Sequence, residues 1–323
     1  MSKALICGSI AFDLIMGIFP PIRQEIPLKN GKIEALNMSF VSDSLTVLRG
    51  GTAGNICFGI GFLGGNSILH SAVGETFMQS YGKYLQNFGV EMAIKSYEGY
   101  ESARAYMISD KKNEQIIIWQ PNAAQFMDRL TFDETITSNR DKIKVANFSP
   151  GTSYSTLNAM EALKKINKDC IQIFNPGQMV GTYSDKQFRR AIELADAIIM
   201  NDAEWMKLEI FNLSLEKISI EFPEKILIRT LGESGSKFYL PEGVFRVGVA
   251  KPKATVEVTG AGDAFSAGLI KGLSDGKSWT EAGKLGSALA SLCVEVHGAQ
   301  EYEKFPHEIA YKRAKEIEVI KEG

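Results

Sequence analysis

A chain of 323 residues with 45% hydrophobic content is long enough for one large α/β domain or two domains, and it can bury a substantial core. Its formal net charge of −2 gives no basis for a nucleic-acid or membrane surface. The four cysteines, Cys7, Cys57, Cys170 and Cys293, form no CxxC pair, which speaks against a zinc site or disulfide scaffold and fits a reducing cytoplasm.

The first predicted element is a short buried strand, Ala4-Leu5-Ile6-Cys7-Gly8. Ala4 to Phe19 is apolar enough to imitate a signal peptide, but Asp13 in its middle and the lack of an A-x-A-like site argue against one. No run reaches the roughly 18 apolar residues of a membrane span. Asp13 falls just past the strand end, where open α/β sheets bind ligands; a turn cap is the plain alternative. Residues 16–47 contain Pro20, Pro21 and Pro27 and a β-prone stretch from Ile33 to Leu48, which predicts a small antiparallel excursion. Arg49-Gly50-Gly51-Thr52-Ala53-Gly54-Asn55 is then a glycine loop entering a helix marked by Ile56, Phe58, Ile60 and Leu63. Asn55 can hydrogen-bond a hydroxyl-rich ligand, although close backbone packing explains the glycines equally well.

Ser67 to Gly74 reads as a strand, and Phe77 to Phe88 as a helix ended by Gly89. Residues 97–120 form a second excursion, in which Ala103–Ile108 and Gln115–Trp119 flank the turn Asp110-Lys111-Lys112-Asn113. The two excursions are expected to pair into one small sheet that stands off the main domain as a lid. From residue 143 the pattern becomes β-α-β-α: strands Val145–Phe148, Cys170–Phe174, Ala197–Met200 and Lys225–Arg229, with helices at about 155–167 and 185–195. A hairpin, Phe238–Leu240 with Val244–Val249, precedes two long helices at about 262–274 and 279–296, and a polar helix closes the chain. The expected fold class is α/β, a doubly wound, mainly parallel sheet with a small β-sheet lid. The expected partition is 1–15, 48–96 and 121–323 for the α/β body and 16–47 with 97–120 for the lid.

The loop before the first of those long helices carries the chemistry. In Gly260-Ala261-Gly262-Asp263 the small residues deliver the chain into a helix N-terminus, whose unpartnered amides and dipole suit an anion, above all a phosphate. Asp263 is poorly placed to hold a phosphate, because like charges repel. It is well placed to take a proton from a hydroxyl attacking that phosphate. A glycine-rich cap with an acidic first turn fits the same four residues. No Walker loop, no G-x-G-x-x-G after the first strand and no H-E-x-x-H is present.

Taken together, these motifs resemble the ribokinase-like, or PfkB, family of sugar and nucleoside kinases nearly end to end. The resemblance rests on the first strand with Gly8 and Asp13, and on the Gly50-Gly51 loop with Asn55. It continues through Asn201-Asp202-Ala203-Glu204 as N-x-x-E, Thr230-x-Gly232-x-x-Gly235 and Gly260–Asp263. It implies a phosphotransferase in which Asp263 is the general base and the amides of Gly260, Ala261 and Gly262 form the anion hole. Asp13, Gly50, Gly51 and Asn55 would hold the acceptor. Asn201, Thr230, Gly232 and Gly235 would line the ATP site, and Glu204, with Asn201, would orient a hydrated magnesium ion. ATP and Mg2+ are thus the implied cofactors, with a monovalent cation as a further candidate. Many members have Asp where Glu257 stands, in the run that helps bind that cation. The implied partners are a small nucleoside or sugar and ATP, with a homodimer through the lid as a further candidate and no nucleic acid or membrane.

Thr52 replaces the lysine of ribose-specific relatives, and Asn175-Pro176-Gly177-Gln178 lacks the arginine many sugar kinases carry there. Both features look more like prokaryotic adenosine or nucleoside kinases. The expected reaction is phosphorylation of a nucleoside 5′-hydroxyl, adenosine first. A ribose or fructose kinase of the same family is the alternative, and a non-catalytic ligand sensor on the fold is a more distant one.

Overall fold

The computed structural model of the chain describes residues 2–26, 28–29, 32–33, 38–112 and 114–322. Pro27, residues 34–37 and Asn113, on which parts of the two excursions were read, lie outside the described residues. The principal elements begin with β1 (Lys3–Cys7), β2 (Ala11–Phe19), β3 (Val41–Gly50), α1 (Thr52–Phe62), β4 (Ser67–Gly74), α2 (Tyr81–Asn87), β5 (Val90–Tyr97), β6 (Ala103–Asp110) and β7 (Gln115–Gln120). They continue with β8 (Ile143–Phe148), α3 (Ser153–Ile166), β9 (Ile171–Phe174), α4 (Asp185–Leu194), β10 (Ala197–Asn201), α5 (Asp202–Met206) and β11 (Ile226–Thr230). The last part holds β12 (Ser236–Leu240), β13 (Gly243–Val247), α6 (Ala261–Ser274), α7 (Trp279–Cys293), α8 (Glu308–Glu316) and β14 (Val319–Glu322).

A ten-stranded sheet runs in the order β14-β13-β12-β11-β10-β9-β8-β1-β4-β5. It is parallel from β11 to β5 and antiparallel over the β12–β14 edge. The central strands are buried on both faces because both faces are covered. One core, around Ile56, Phe58, Leu269 and Leu289, joins α1, α6 and α7 to the sheet. The other, around Met160, Leu163, Phe188 and Ile192, joins α3 and α4 to the opposite face. The helices following β1 and β8 therefore leave the sheet on opposite sides, so a switch point lies between the carboxyl ends of these neighbours, where such sheets bind ligands. Two strands are additions to the expected set. Val90–Tyr97 extends one edge, and Val319–Glu322 follows the C-terminal helix, so that helix does not close the chain.

α6 and α7 approach through glycine. A Cβ on Gly268 would lie 2.7 Å from the Gly286 backbone, and one on Gly272 would lie 2.7 Å from Ala282 Cα. No side chain stands between the two helices at these points, so their backbones touch.

The second sheet has the order β3-β2-β6-β7, and strands from both excursions lie in it. It takes in Ala11–Ile15 and Leu48–Gly50, which the expected partition assigned to the body. The reason is continuous pairing: β2 and β3 stay in register from Ala11↔Gly50 to Phe19↔Val41 apart from one shift at Gly17/Ile18. Asp13 accordingly sits within a strand rather than in the loop after β1. Residues opposite one another share a face. Asp13 pairs with Leu48 and Ala105, and Ala105 pairs with Trp119, so Asp13 and Trp119 lie on one face of this sheet. Tyr106 lies on the other, bonded to Gln120 at 3.0 Å. No helix among the described residues is long and apolar enough to cross a membrane.

Candidate active site

α6 starts as the sequence demands. Gly260, at φ +82°, is the residue before its first turn, and a Cβ there would come within 2.4 Å of Ala299 Cβ, so only glycine fits. The Ala261 amide is closed onto the Val258 carbonyl at 3.2 Å. The amides of Gly260 and Gly262 have no hydrogen-bond partner among the described residues, and a Cβ on Gly262 would meet nothing within 4 Å. An anion therefore has open donors and open space at this N-terminus.

Asp263 stands in that first turn, and its Oδ2 accepts from Asn55 Nδ2 at 2.8 Å. Loss of water around the carboxyl raises its pKa to about 7, and the charges of Asp13 and Glu204 push the same way, while the Asn55 bond opposes them. The Asp13 carboxyl is raised to about 6, first by burial and then by Glu257. Asp13 presses on the glycine loop: a Cβ on Gly50 would lie 2.3 Å from Asp13 Oδ2. Gly51, at φ +83°, would meet the Ala11 amide nitrogen at 2.5 Å. Both glycines are thus required by close approach, and they bring Asp13 beside the start of α1.

Asn55 is buried, and both ends of its amide are occupied: Oδ1 accepts from Gln300 Nε2 at 2.8 Å while Nδ2 holds Asp263. Gln300 also donates to the Tyr81 hydroxyl, which in turn donates to the Gly50 carbonyl at 3.0 Å. Gln300 and Tyr81 were not singled out in the sequence. They reach the site across 245 and 219 residues of chain respectively, counted from Gln300 to Asn55 and to Tyr81, and no local spacing signals that.

The remaining candidates line the carboxyl ends of neighbouring strands. Asn201 and Thr230 are register partners at the ends of β10 and β11. Gly232 (φ +57°) and Gly235 (φ +87°) turn the chain after β11, with the Leu231 amide bonded to the Gly235 carbonyl at 2.7 Å. Asn201 and Glu204 form a reciprocal cap on α5: the Asn201 side chain accepts from the Glu204 amide, and Glu204 Oε2 accepts from the Asn201 amide, each at 2.9 Å. Burial raises the Glu204 carboxyl above its usual range. Asn175, at the end of β9, donates to Ser266 of α6 at 3.3 Å, which sets α6 over the same row of strand ends. A cavity of about 260 Å³ lies against the carboxyl ends of β1 and β8, lined in part by Gly8, Phe132, Phe148, Ser149 and Ala159 of α3, and none of Asp13, Asn55, Glu204 or Asp263 lines it.

A family model for the pfkB family of carbohydrate kinases matches residues 36–305. The nucleoside kinase of Methanocaldococcus jannaschii is 28% identical over 305 residues, covering 93% of each chain. A solved structure of the nucleoside kinase of that organism, described as an archaeal member of the ribokinase family, superposes with a TM-score of 0.84 at 26% identity, covering 98% of this chain and 99% of the other. The nucleoside kinase of Burkholderia thailandensis in complex with ADP-inosine superposes with a TM-score of 0.79 at 28% identity, covering 97% of this chain and 95% of the other.

Proposed function

The chain belongs to the pfkB carbohydrate kinase family, and on that premise we propose that it transfers the γ-phosphoryl group of ATP to the 5′-hydroxyl of a nucleoside, with adenosine as first candidate. It is a phosphotransferase that acts on a hydroxyl group. The observation that carries the proposal is Asp263, tied by one oxygen to Asn55, raised to about 7, and set in the first turn of a glycine-capped helix. With Oδ2 engaged, Oδ1 takes the proton as the acceptor oxygen bonds to phosphorus and the bond to the ADP leaving group breaks. The amides of Gly260 and Gly262 meet the charge on the transferring group. Ala261 serves by its size, because its amide is already spent on Val258.

Asp13 accepts from sugar hydroxyls, and the bare backbone of Gly50 and Gly51 gives it room. Trp119 shares its sheet face, two strands away, and offers a ring to the base. The second sheet acts as a lid over the acceptor and keeps water from competing as the phosphoryl acceptor. Asn201, Thr230, Gly232 and Gly235 line the nucleotide side. The relative solved with ADP-inosine supports this pairing of a nucleotide with a nucleoside.

Magnesium fits the donor set. Glu204 keeps one oxygen free of the cap, and the charges of Asp13 and Glu204 both act on Asp263. No group of three potential ligands is found among the described residues; magnesium commonly keeps several waters and is bound by one or two carboxylates together with substrate phosphates. Glu204 would hold it, and the ion would neutralise phosphate charge. Four free buried thiols support work in a reducing cytoplasm.

Steady-state kcat/KM for adenosine, inosine, cytidine, ribose and fructose with MgATP tests the reading. A nucleoside is expected to lead by tenfold or more. A lead by ribose or fructose would replace the acceptor class and leave the kinase standing.

A further inference from the structure

We propose that Gln300 is a positioning residue: its side-chain amide dictates which way Asn55 faces, aims the Asp263 carboxylate through it, and ties both to the acceptor loop through Tyr81. The inference rests on the reading of Asp263 as the base.

A primary amide such as Asn55 can turn over at almost no cost in shape. Turned over, it would set Oδ1 against the Asp263 carboxylate and lose the 2.8 Å donation from Nδ2. What forbids this is a donor on its other side. Gln300 Nε2 carries two hydrogens, and both are used, one on Asn55 Oδ1 and one on the Tyr81 hydroxyl oxygen. Tyr81 hands its own proton to the Gly50 carbonyl, so the polarity of the whole run from Gly50 to Asp263 is determined. Gln300 is only 1% exposed. Its Oε1 has no partner among the described residues, a cost that an apolar side chain of the same shape would avoid. A buried amide kept with one end orphaned is explained by what its other end does, not by stability.

The backbone holds Gln300 to the phosphate side of the site as well. The Gly298 amide donates to Glu257 at 3.0 Å, and Ala299 packs against Gly260, one residue before α6. The segment 298–300 therefore touches the anion loop through Ala299 and touches Asn55 and Tyr81 through Gln300, and it reaches Asp263 by way of Asn55.

Several groups face Asp263: Asp13 from β2, Glu204 from the start of α5, Asn55 from α1, with the Cys293 thiol and the Tyr302 phenol within its field. Of those that act on its proton affinity, only Asn55 favours the ionised form. Freeing Asn55 should make Asp263 harder to ionise.

The test compares wild type, Gln300→Met, Asn55→Ala and the double variant by 13C-carboxyl NMR titration of Asp263 and by the pH profile of kcat/KM with MgATP and nucleoside. Gln300→Met is expected to move the Asp263 midpoint and the acid limb upward by about 0.5–1 pH unit, the scale of one hydrogen bond to a carboxylate. The KM for ATP should stay within twofold. In the double variant the limb should sit where Asn55→Ala alone puts it, because the effect of Gln300 passes through Asn55. Should Gln300→Met fail to fold, Gln300→Glu keeps the shape, turns Asn55 round, and should move the midpoint up further. An unchanged Asp263 midpoint in a folded Gln300 variant, or additive shifts in the double variant, overturns the inference. The titration needs no turnover: if Asp263 proves not to be the base, the pH profile fails while the NMR arm still decides on Gln300.

Discussion

Asp263→Asn isolates the proton acceptor. The change keeps the size of the side chain, and Asn55 can still donate to the new amide oxygen, so ATP binding and the helix cap should survive. General-base removal costs roughly 10²–10⁴ in kcat, or about 2.7–5.4 kcal/mol of barrier. The pH dependence follows from the raised carboxyl. With Asp263 titrating at about 7, half of the sites are ionised at pH 7 and about one in thirty at pH 5.5. Wild-type kcat/KM should thus fall about fifteenfold over that interval, and residual Asp263→Asn activity should be nearly flat. Stability should move the other way. A folded-state pKa above the unfolded value gives stability that is present at low pH and is lost as pH rises through about 7. At pH 8 the variant, with no carboxylate to ionise, should melt above wild type. Stopped-time assays of nucleoside monophosphate formation from pH 5.5 to 8.5, beside thermal melts, measure both. Turnover within threefold of wild type, or an unaltered acid limb, would refute a base at position 263.

Three further substitutions probe the other parts of the site. Glu204→Gln keeps the reciprocal cap, since Gln serves at that position, so stability should hold while the magnesium needed for half-maximal rate rises severalfold; an unchanged magnesium curve would leave Glu204 a cap alone. Gly50→Ala drives a methyl into the Asp13 carboxylate, 2.3 Å away, and should raise acceptor KM at least tenfold with ATP KM unchanged; equal effects on both substrates would mean general damage. Trp119→Ala should lower kcat/KM for nucleosides about tenfold and for ribose hardly at all, on the scale of a stacking contact of about 1–3 kcal/mol; a uniform loss would place Trp119 away from the base.

Between residues 143 and 201 the alternation of strand and helix was legible because the strands there are short apolar runs and the helices carry their own period, as with Ala197–Asn201 and Asp185–Leu194. Val90–Tyr97 was not, since its alternation is weak and only Val90 and Ala93 are buried. Val319–Glu322 is four residues long and owes its conformation to pairing with Gly243–Val247, a partner far away in sequence. The site divided in the same way. Gly260 and Asp263 announce themselves, because a positive φ and a first-turn carboxylate leave local marks. The contacts of Gln300 and Tyr81 leave none. Asn55 carried a helix-start signal but not its partners, and the face shared by Asp13 and Trp119 needed the register of three strands.

The glycine seam between α6 and α7 bears on how this protein can be remodelled. Backbones that touch at Gly268 and Gly286 leave no side chain to trim and no gap to fill, so the helix that carries Asp263 has little mutational slack. The β3-β2-β6-β7 sheet is the opposite case: Leu45, Val47, Ile117 and Ile118 are all more than half exposed, and residues there can be exchanged without disturbing a core. Libraries aimed at a new acceptor belong in that sheet. Variation drifting into the seam would spend its members on chains that no longer fold, so a shift of substrate should come without any change to the helix that performs the chemistry.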